Sequence, residues 1–178
     1  MKRLIMFAFL CVTTWNLTAQ KFVQNQSETK ITFKIKNFGS YVDCLFSDVN
    51  FDVNFNKNDL TNSYINTTIA VSTVDTNNKS RDKSLKKEKY FNVTKYPNIT
   101  LKSRKIEMID ANSFRLTGDL TIKGITKIVT IPIKVSNQEN KLNISADFEI
   151  NRLDYKVGKS SFILSKKVIA KVNYLGTK

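Results

Sequence analysis

From residue 27 onward, apolar residues recur at every second position along this chain. Ile31, Phe33 and Ile35 share a face in the first segment, and Val49, Phe51, Val53 and Phe55 share one in the next. Ile65, Thr67, Ile69, Val71 and Thr73 continue the pattern, then Ile99 and Leu101, then Phe114, Leu116, Gly118, Leu120 and Ile122. Val129 to Val135, Leu142 to Ile150 and Val168 to Tyr174 repeat it three more times. A period of two gives each extended strand one apolar and one polar face. Half-buried strands of this kind belong to antiparallel sheets, because parallel strands covered on both sides read as continuous apolar runs.

The connections agree with that reading. Lys123-Gly124 is a tight hairpin turn between two alternating runs, Asn137 to Asn140 a second hairpin loop, and Asn56 to Asn62 a longer polar one. Ser80 to Phe91 breaks the alternation. It has no β-branched residue and carries Leu85, Lys86, Lys87 and Glu88 at helix-compatible spacing, which predicts one or two helical turns with Ser80 as cap. Pro97 then restarts an extended segment.

About eight strands joined by hairpins fit either a two-sheet sandwich or an up-and-down barrel. The barrel has the advantage of leaving no sheet edge. The expected fold is therefore all-β, an antiparallel up-and-down β-barrel of about eight strands with one short helical insertion at about 80–91. A barrel of this size is either filled by side chains or able to hold one small ligand. Bulky Phe33, Phe51, Phe114 and Phe148 face inward together with small Thr67, Thr73, Gly118 and Ala146. Both interiors are compatible with that mixture.

The N-terminus stands apart. Lys2 and Arg3 precede an apolar run from Leu4 to Trp15, and Ala19 supplies a small residue for cleavage. That layout predicts a secretory signal peptide over 1–19, a single domain over 20–178, and a periplasmic or secreted destination. Phe9 and Leu10 before Cys11 do not fit a lipid-modified cysteine. Cys44 is then the only thiol of the mature chain, so no intrachain disulfide can form, and it reads as a small buried residue. The formal charge is +14, and removing the leader with Lys2 and Arg3 leaves +12. Lysines alternate with apolar residues as on a solvated strand face, which does not indicate a nucleic-acid partner. The densest cluster, Lys79 to Lys89, is a solvated face or an attraction for an anionic membrane surface.

Little chemistry is available. The chain has no histidine, which removes Ser-His and Cys-His catalysis and the usual zinc sites. Asp43, Asp48 and Asp52 fall on polar strand faces. The expectation is a protein that is not an enzyme and needs neither cofactor nor metal. Arg81-Asp82 opens the helical insertion, and Arg152 with Asp154 closes an apolar strand. These charges either tie the insertion to the barrel by a salt bridge or meet an anionic headgroup at the barrel mouth.

At these residues the sequence resembles a known family. Thr76 to Leu85 with its Arg81-Asp82 pair, then Tyr90-Phe91-Asn92 and Lys95-Tyr96-Pro97-Asn98-Ile99-Thr100, is similar to the central signature of the YceI-like lipid/polyisoprenoid-binding proteins. Gly118 to Thr126 resembles the family's G-x-L-T-x-K-G-x-T hairpin, and Asn151-Arg152 with Gly158-Lys159-Ser160-Ser161 its C-terminal arginine segment. The resemblance implies a lipocalin-like barrel, usually periplasmic, whose lumen binds an apolar lipid of the isoprenoid or quinone class without catalysis. Phe33, Phe46, Phe51, Ile69, Leu101, Leu116, Leu120 and Phe148 would then line the lumen, with Arg81, Asp82 and Arg152 as polar groups at the mouth. A barrel with a packed core that acts through its basic surface is the alternative, and a dimer is compatible with either. The chain departs from the pattern at Ser84, where the family often has histidine, at Cys44, where glycine is common, and at Tyr155-Lys156, where it has phenylalanine-glycine.

Overall fold

Each alternating segment is a strand in the computed structural model, which describes residues 22–178. The expected signal peptide lies outside those residues. In chain order the strands are β1 (Val23–Gln24), β2 (Lys30–Asn37), β3 (Ser40–Phe46), β4 (Val49–Asn54), β5 (Tyr64–Ala70) and β6 (Val74–Asp75). After helix α1 (Lys79–Leu85) come β7 (Asn98–Met108), β8 (Ser113–Ile122), β9 (Ile125–Gln138), β10 (Lys141–Asn151) and β11 (Leu164–Thr177).

All pairings are antiparallel, and the sheet closes on itself. β3 runs into β4 across Ser47-Asp48, and β5 into β6 across a 3-10 turn at Val71–Thr73. β3 pairs with β6 and β4 with β5, so the two pairs form one long, offset ladder. β1 and β2 both pair with β11. Three composite staves (β1/β2, β3/β4, β5/β6) and five single ones (β7 to β11) therefore make the eight that the alternation predicts. Where β1 lies beside β4 without a ladder, the Gln24 side chain takes its place. Its Nε2 donates to the Val49 carbonyl at 2.8 Å and its Oε1 accepts from the Phe51 amide at 2.7 Å. An amide side chain here does the work of a peptide group and satisfies two backbone groups on the free side of β4.

The hairpins explain the register. Phe38-Gly39 joins β2 to β3 and Lys123-Gly124 joins β8 to β9, each with two successive positive φ angles (50° and 81°, 51° and 74°). That is the turn whose twist matches paired strands. Gly118 has a different role. A Cβ there would lie 2.7 Å from the Lys102 carbonyl oxygen, opposite the bulge between Ser103 and Lys105. Backbone cannot yield as a flexible side chain can, so Gly118→Ala is expected to lower stability by about 1–3 kcal/mol in urea denaturation. An unchanged midpoint would contradict the close approach.

Three expectations need correction. The helical insertion is shorter than 80–91: α1 stops at Leu85, and the chain then turns so that Phe91 enters the core, its amide donating to the Leu85 carbonyl at 3.0 Å. Its N-cap is Asn78, which accepts from the Arg81 amide, and not Ser80. The strand read through Thr73 ends at Ala70, where the Thr73 hydroxyl donates to the Ala70 carbonyl at 2.7 Å and bends the chain away.

The two ends of the barrel differ. The end holding the 55–63, 109–112 and 139–140 turns is packed solid: Phe55 meets Phe114 edge-on at 5.1 Å, Phe51 lies tilted against Tyr174 at 5.1 Å, and Leu142 is wholly buried. At the other end lie the 38–39 turn, the insertion and the 152–163 connection, and there the interior is open.

Candidate ligand-binding cavity

Inward residues of the strands enclose a cavity of about 770 Å³. All eight residues placed in the lumen from the sequence are on its wall: Phe33, Phe46, Phe51, Ile69, Leu101, Leu116, Leu120 and Phe148. The alternation puts them there, since strand residues two apart share a face. Ala146 and Ala170 supply the small positions that keep it open. The volume lies within the range of about 300–1,000 Å³ usual for small-molecule sites. Arg81, Lys89, Arg152 and Lys159 border the cavity, and no carboxylate does among the described residues.

Arg152 is fixed by backbone. It is 4% exposed and its guanidinium donates four hydrogen bonds to carbonyls: Nε to Ser165, Nη1 to Val157, and Nη2 to Lys159 and Leu164, at 2.8–3.1 Å. Burial pushes its pKa down, partly offset by the neighbouring Tyr90. Gly158 makes room for it, because a Cβ there would sit 2.9 Å from Nη1 and 3.0 Å from the Tyr90 ring. The spacing between Arg152 and Gly158 in the sequence is thus one structural unit that folds the 152–164 connection around a guanidinium.

Arg81 and Asp82 converge on Thr76. Arg81 Nε donates to the Thr76 hydroxyl at 2.8 Å and Nη2 to its carbonyl at 2.9 Å. Asp82 accepts from the Thr76 amide at 3.0 Å and hydroxyl at 2.6 Å, which anchors the start of the insertion. The salt-bridge expectation is therefore corrected. Among the described residues neither arginine pairs with a carboxylate; hydrogen bonds to Thr76 and to carbonyls tie the mouth together instead. Arg81 borders the cavity and Asp82 does not.

Cys44 is buried on the cavity wall, and burial pushes its thiol up to about 12, with Arg81 pulling weakly the other way. At pH 8 only about one thiol in ten thousand is then ionised, so a thiol reagent should modify Cys44 far more slowly than a model thiol. A free-thiol rate in the folded protein would contradict this burial. The same shift makes stability fall as pH rises from 9 towards about 12, where the unfolded chain loses the proton and the folded one keeps it.

The strand β3, with Val42, Cys44 and Phe46 facing inward, was missed as an element, although Phe46 itself was placed on the wall. Also missed were Phe38, Tyr155 and the 159–164 segment at the mouth. The Tyr155-Lys156 departure has a local meaning. Lys156 takes the left-handed conformation (φ 52°) that glycine adopts without strain. Tyr155 is buried against the cavity with its pKa raised by burial. Ser84, in the histidine position, donates to the Ser80 carbonyl within the helix at 3.0 Å.

Comparison with known proteins completes the description. The family model of the YceI-like domain matches residues 22–173. A UPF0312 protein of Pectobacterium carotovorum is 34% identical over 119 residues, 66% of this chain and 62% of its own. Protein YceI of Shigella flexneri is 35% identical over 109 residues, 61% of this chain and 56% of its own. The match thus spans less than two thirds of these relatives' length. The crystal structure of Burkholderia cenocepacia BcnA superposes with a TM-score of 0.83 at 23% identity, covering 87% of this chain and 100% of that one. A polyisoprenoid binding domain from Saccharophagus degradans, implicated in plant cell wall breakdown, gives 0.70 at 12% identity over 84% and 93%. At these identities the two structures establish the shared fold.

Proposed function

This chain belongs to the YceI-like domain family, and from that premise we propose that it is a non-catalytic carrier of one isoprenoid- or quinone-type lipid. The tail occupies the barrel and the polar head stays at the mouth. One observation carries the reading: an apolar cavity of about 770 Å³, closed by aromatic pairs at one end and open at the other. The lipid class is taken from the polyisoprenoid binding domain that shares the fold. Arg81, Lys89 and Lys159 at the opening, with Tyr155 beside them, suit a polar or anionic head. Burial of the tail supplies affinity at about 25 cal/mol per Å² before ordering costs are subtracted.

The reading includes export to the periplasm or beyond, supported by the leader layout of residues 1–19. A packed core acting only through its surface is disfavoured by the open upper half of the barrel. Titrating delipidated protein with a fluorescent polyprenyl phosphate tests the proposal. Saturable one-to-one binding, displaced by unlabelled polyprenyl phosphate or a long-chain quinone, is expected. A signal that never saturates, or that neither lipid displaces, would sink it.

A further inference from the structure

The opening of the cavity carries apolar groups that face water. Phe38, at the tip of the β2–β3 hairpin, is 74% exposed; Phe162 is fully exposed and Ile163 nearly half. The two segments touch, since the Phe38 amide donates to the Ile163 carbonyl at 2.8 Å. Phe38 and Ile163 also border the cavity, so this patch is its rim. Phe38 further holds a left-handed backbone (φ 50°), a conformation that favours Gly or Asn, while packing little of its ring. Folding alone gives no reason for a phenylalanine there.

The surroundings are predominantly basic, with Glu88 an acid beside Lys156 and Lys159. Residues 36–42 and 155–167 contain no acid, while Lys36, Lys156, Lys159 and Lys166 are exposed among them. Apolar tips inside a basic rim are complementary to the headgroup layer of an anionic bilayer, where aromatic rings settle at the interface and ammonium groups meet phosphate.

We propose that this rim is a membrane-docking surface: Phe38, Phe162 and Ile163 enter the interface of an anionic bilayer while Lys36, Lys159 and Lys166 bind its headgroups. Docking so oriented sets the cavity mouth against the membrane, and its use for lipid exchange rests on the carrier reading above. The docking itself does not. The Lys79–Lys89 cluster, the denser stretch of charge, has no comparable exposed aromatic: Phe91 is buried and Tyr90 half-buried.

Flotation with vesicles of phosphatidylcholine, with and without phosphatidylglycerol, tests this on the full mature chain. Binding to the anionic vesicles only is expected. Phe38→Asn with Phe162→Ser should weaken it on the order of 100-fold, and Lys36→Gln or Lys159→Gln about fivefold each. Both aromatic positions are exposed, and Asn suits the hairpin backbone, so thermal stability should stay level or rise. The emission of Phe162→Trp, taken as a difference from wild type, should shift to the blue on anionic vesicles. Full affinity in the Phe38→Asn/Phe162→Ser variant, or an unshifted Trp emission, overturns docking through this rim. So does a wild-type protein that ignores vesicles and instead dimerises through these residues. The lipid content of the wild-type protein, measured by solvent extraction, separates the two proposals: wild type that docks without retained lipid fails the carrier reading alone, and wild type that retains lipid without docking fails this one alone.

Discussion

Replacing Arg152 by methionine should destabilise the barrel by about 3–5 kcal/mol, lowering its melting temperature by roughly 10 °C. The side chain is of similar length, so little packing volume is lost. What disappears is the donor set for the carbonyls of Val157, Lys159, Leu164 and Ser165. Each of these was held by a charged group, the stronger class of hydrogen bond, and a methionine leaves them facing one another. Arg152→Lys keeps the charge but should recover less than half the loss, because one ammonium cannot span a planar fork of four acceptors. Proteolysis should then cut first within 156–164, the segment wrapped around the guanidinium. A loss below about 1 kcal/mol, against the burial penalties of such groups, would mean that water or backbone rearrangement satisfies these carbonyls. The structural role given to Arg152 would then fail.

The second large effect concerns the lumen. Ala170 lies between Phe33 of β2 and Phe148 of β10 in the sheet, and all three border the cavity. Ala170→Trp places an indole in the space assigned to the lipid tail. Binding of a polyprenyl probe should fall at least about 100-fold, since the tail's apolar burial is the main source of affinity. Stability should hold or improve, because the ring occupies empty space and not a packed core. Lys171→Trp, one residue along and facing outward, is the control that should leave binding unchanged. Unfolding of Ala170→Trp would show that the lumen is already filled by side chains that have no room to move. Undiminished binding would put the lipid elsewhere.

How far the sequence foretold this depends on the kind of signal. Strands with one wet face announce themselves by period two, so Phe33, Leu116 and Phe148 could be placed on the lumen side directly. β3 escaped because its inward set is Val42, Cys44 and Phe46, with a cysteine in the middle and Phe38-Gly39 at its start. The eight staves were legible, but not that three of them are spliced from two strands each. That depends on a bulge-like step at Ser47-Asp48 and on the Gln24 amide, which are tertiary choices. At the mouth, charge suggested salt bridges for Arg81 and Arg152, yet both bind oxygens of neutral groups. An arginine's partners within a connection depend on how the chain wraps, which no local pattern encodes. Whether the lumen is hollow was likewise beyond the sequence, because Ala146 and Thr67 fit a jigsaw core as well as a cavity wall.

The central claim is that this hollow is a lipid site. A native mass spectrum of the mature chain, purified from its own host without detergent, tests it most directly. One added mass per chain is expected, released into organic solvent and matching a polyisoprenoid or quinone, and absent from Ala170→Trp. A bare polypeptide mass from freshly prepared wild-type protein, together with no lipid in the extract, would contradict it.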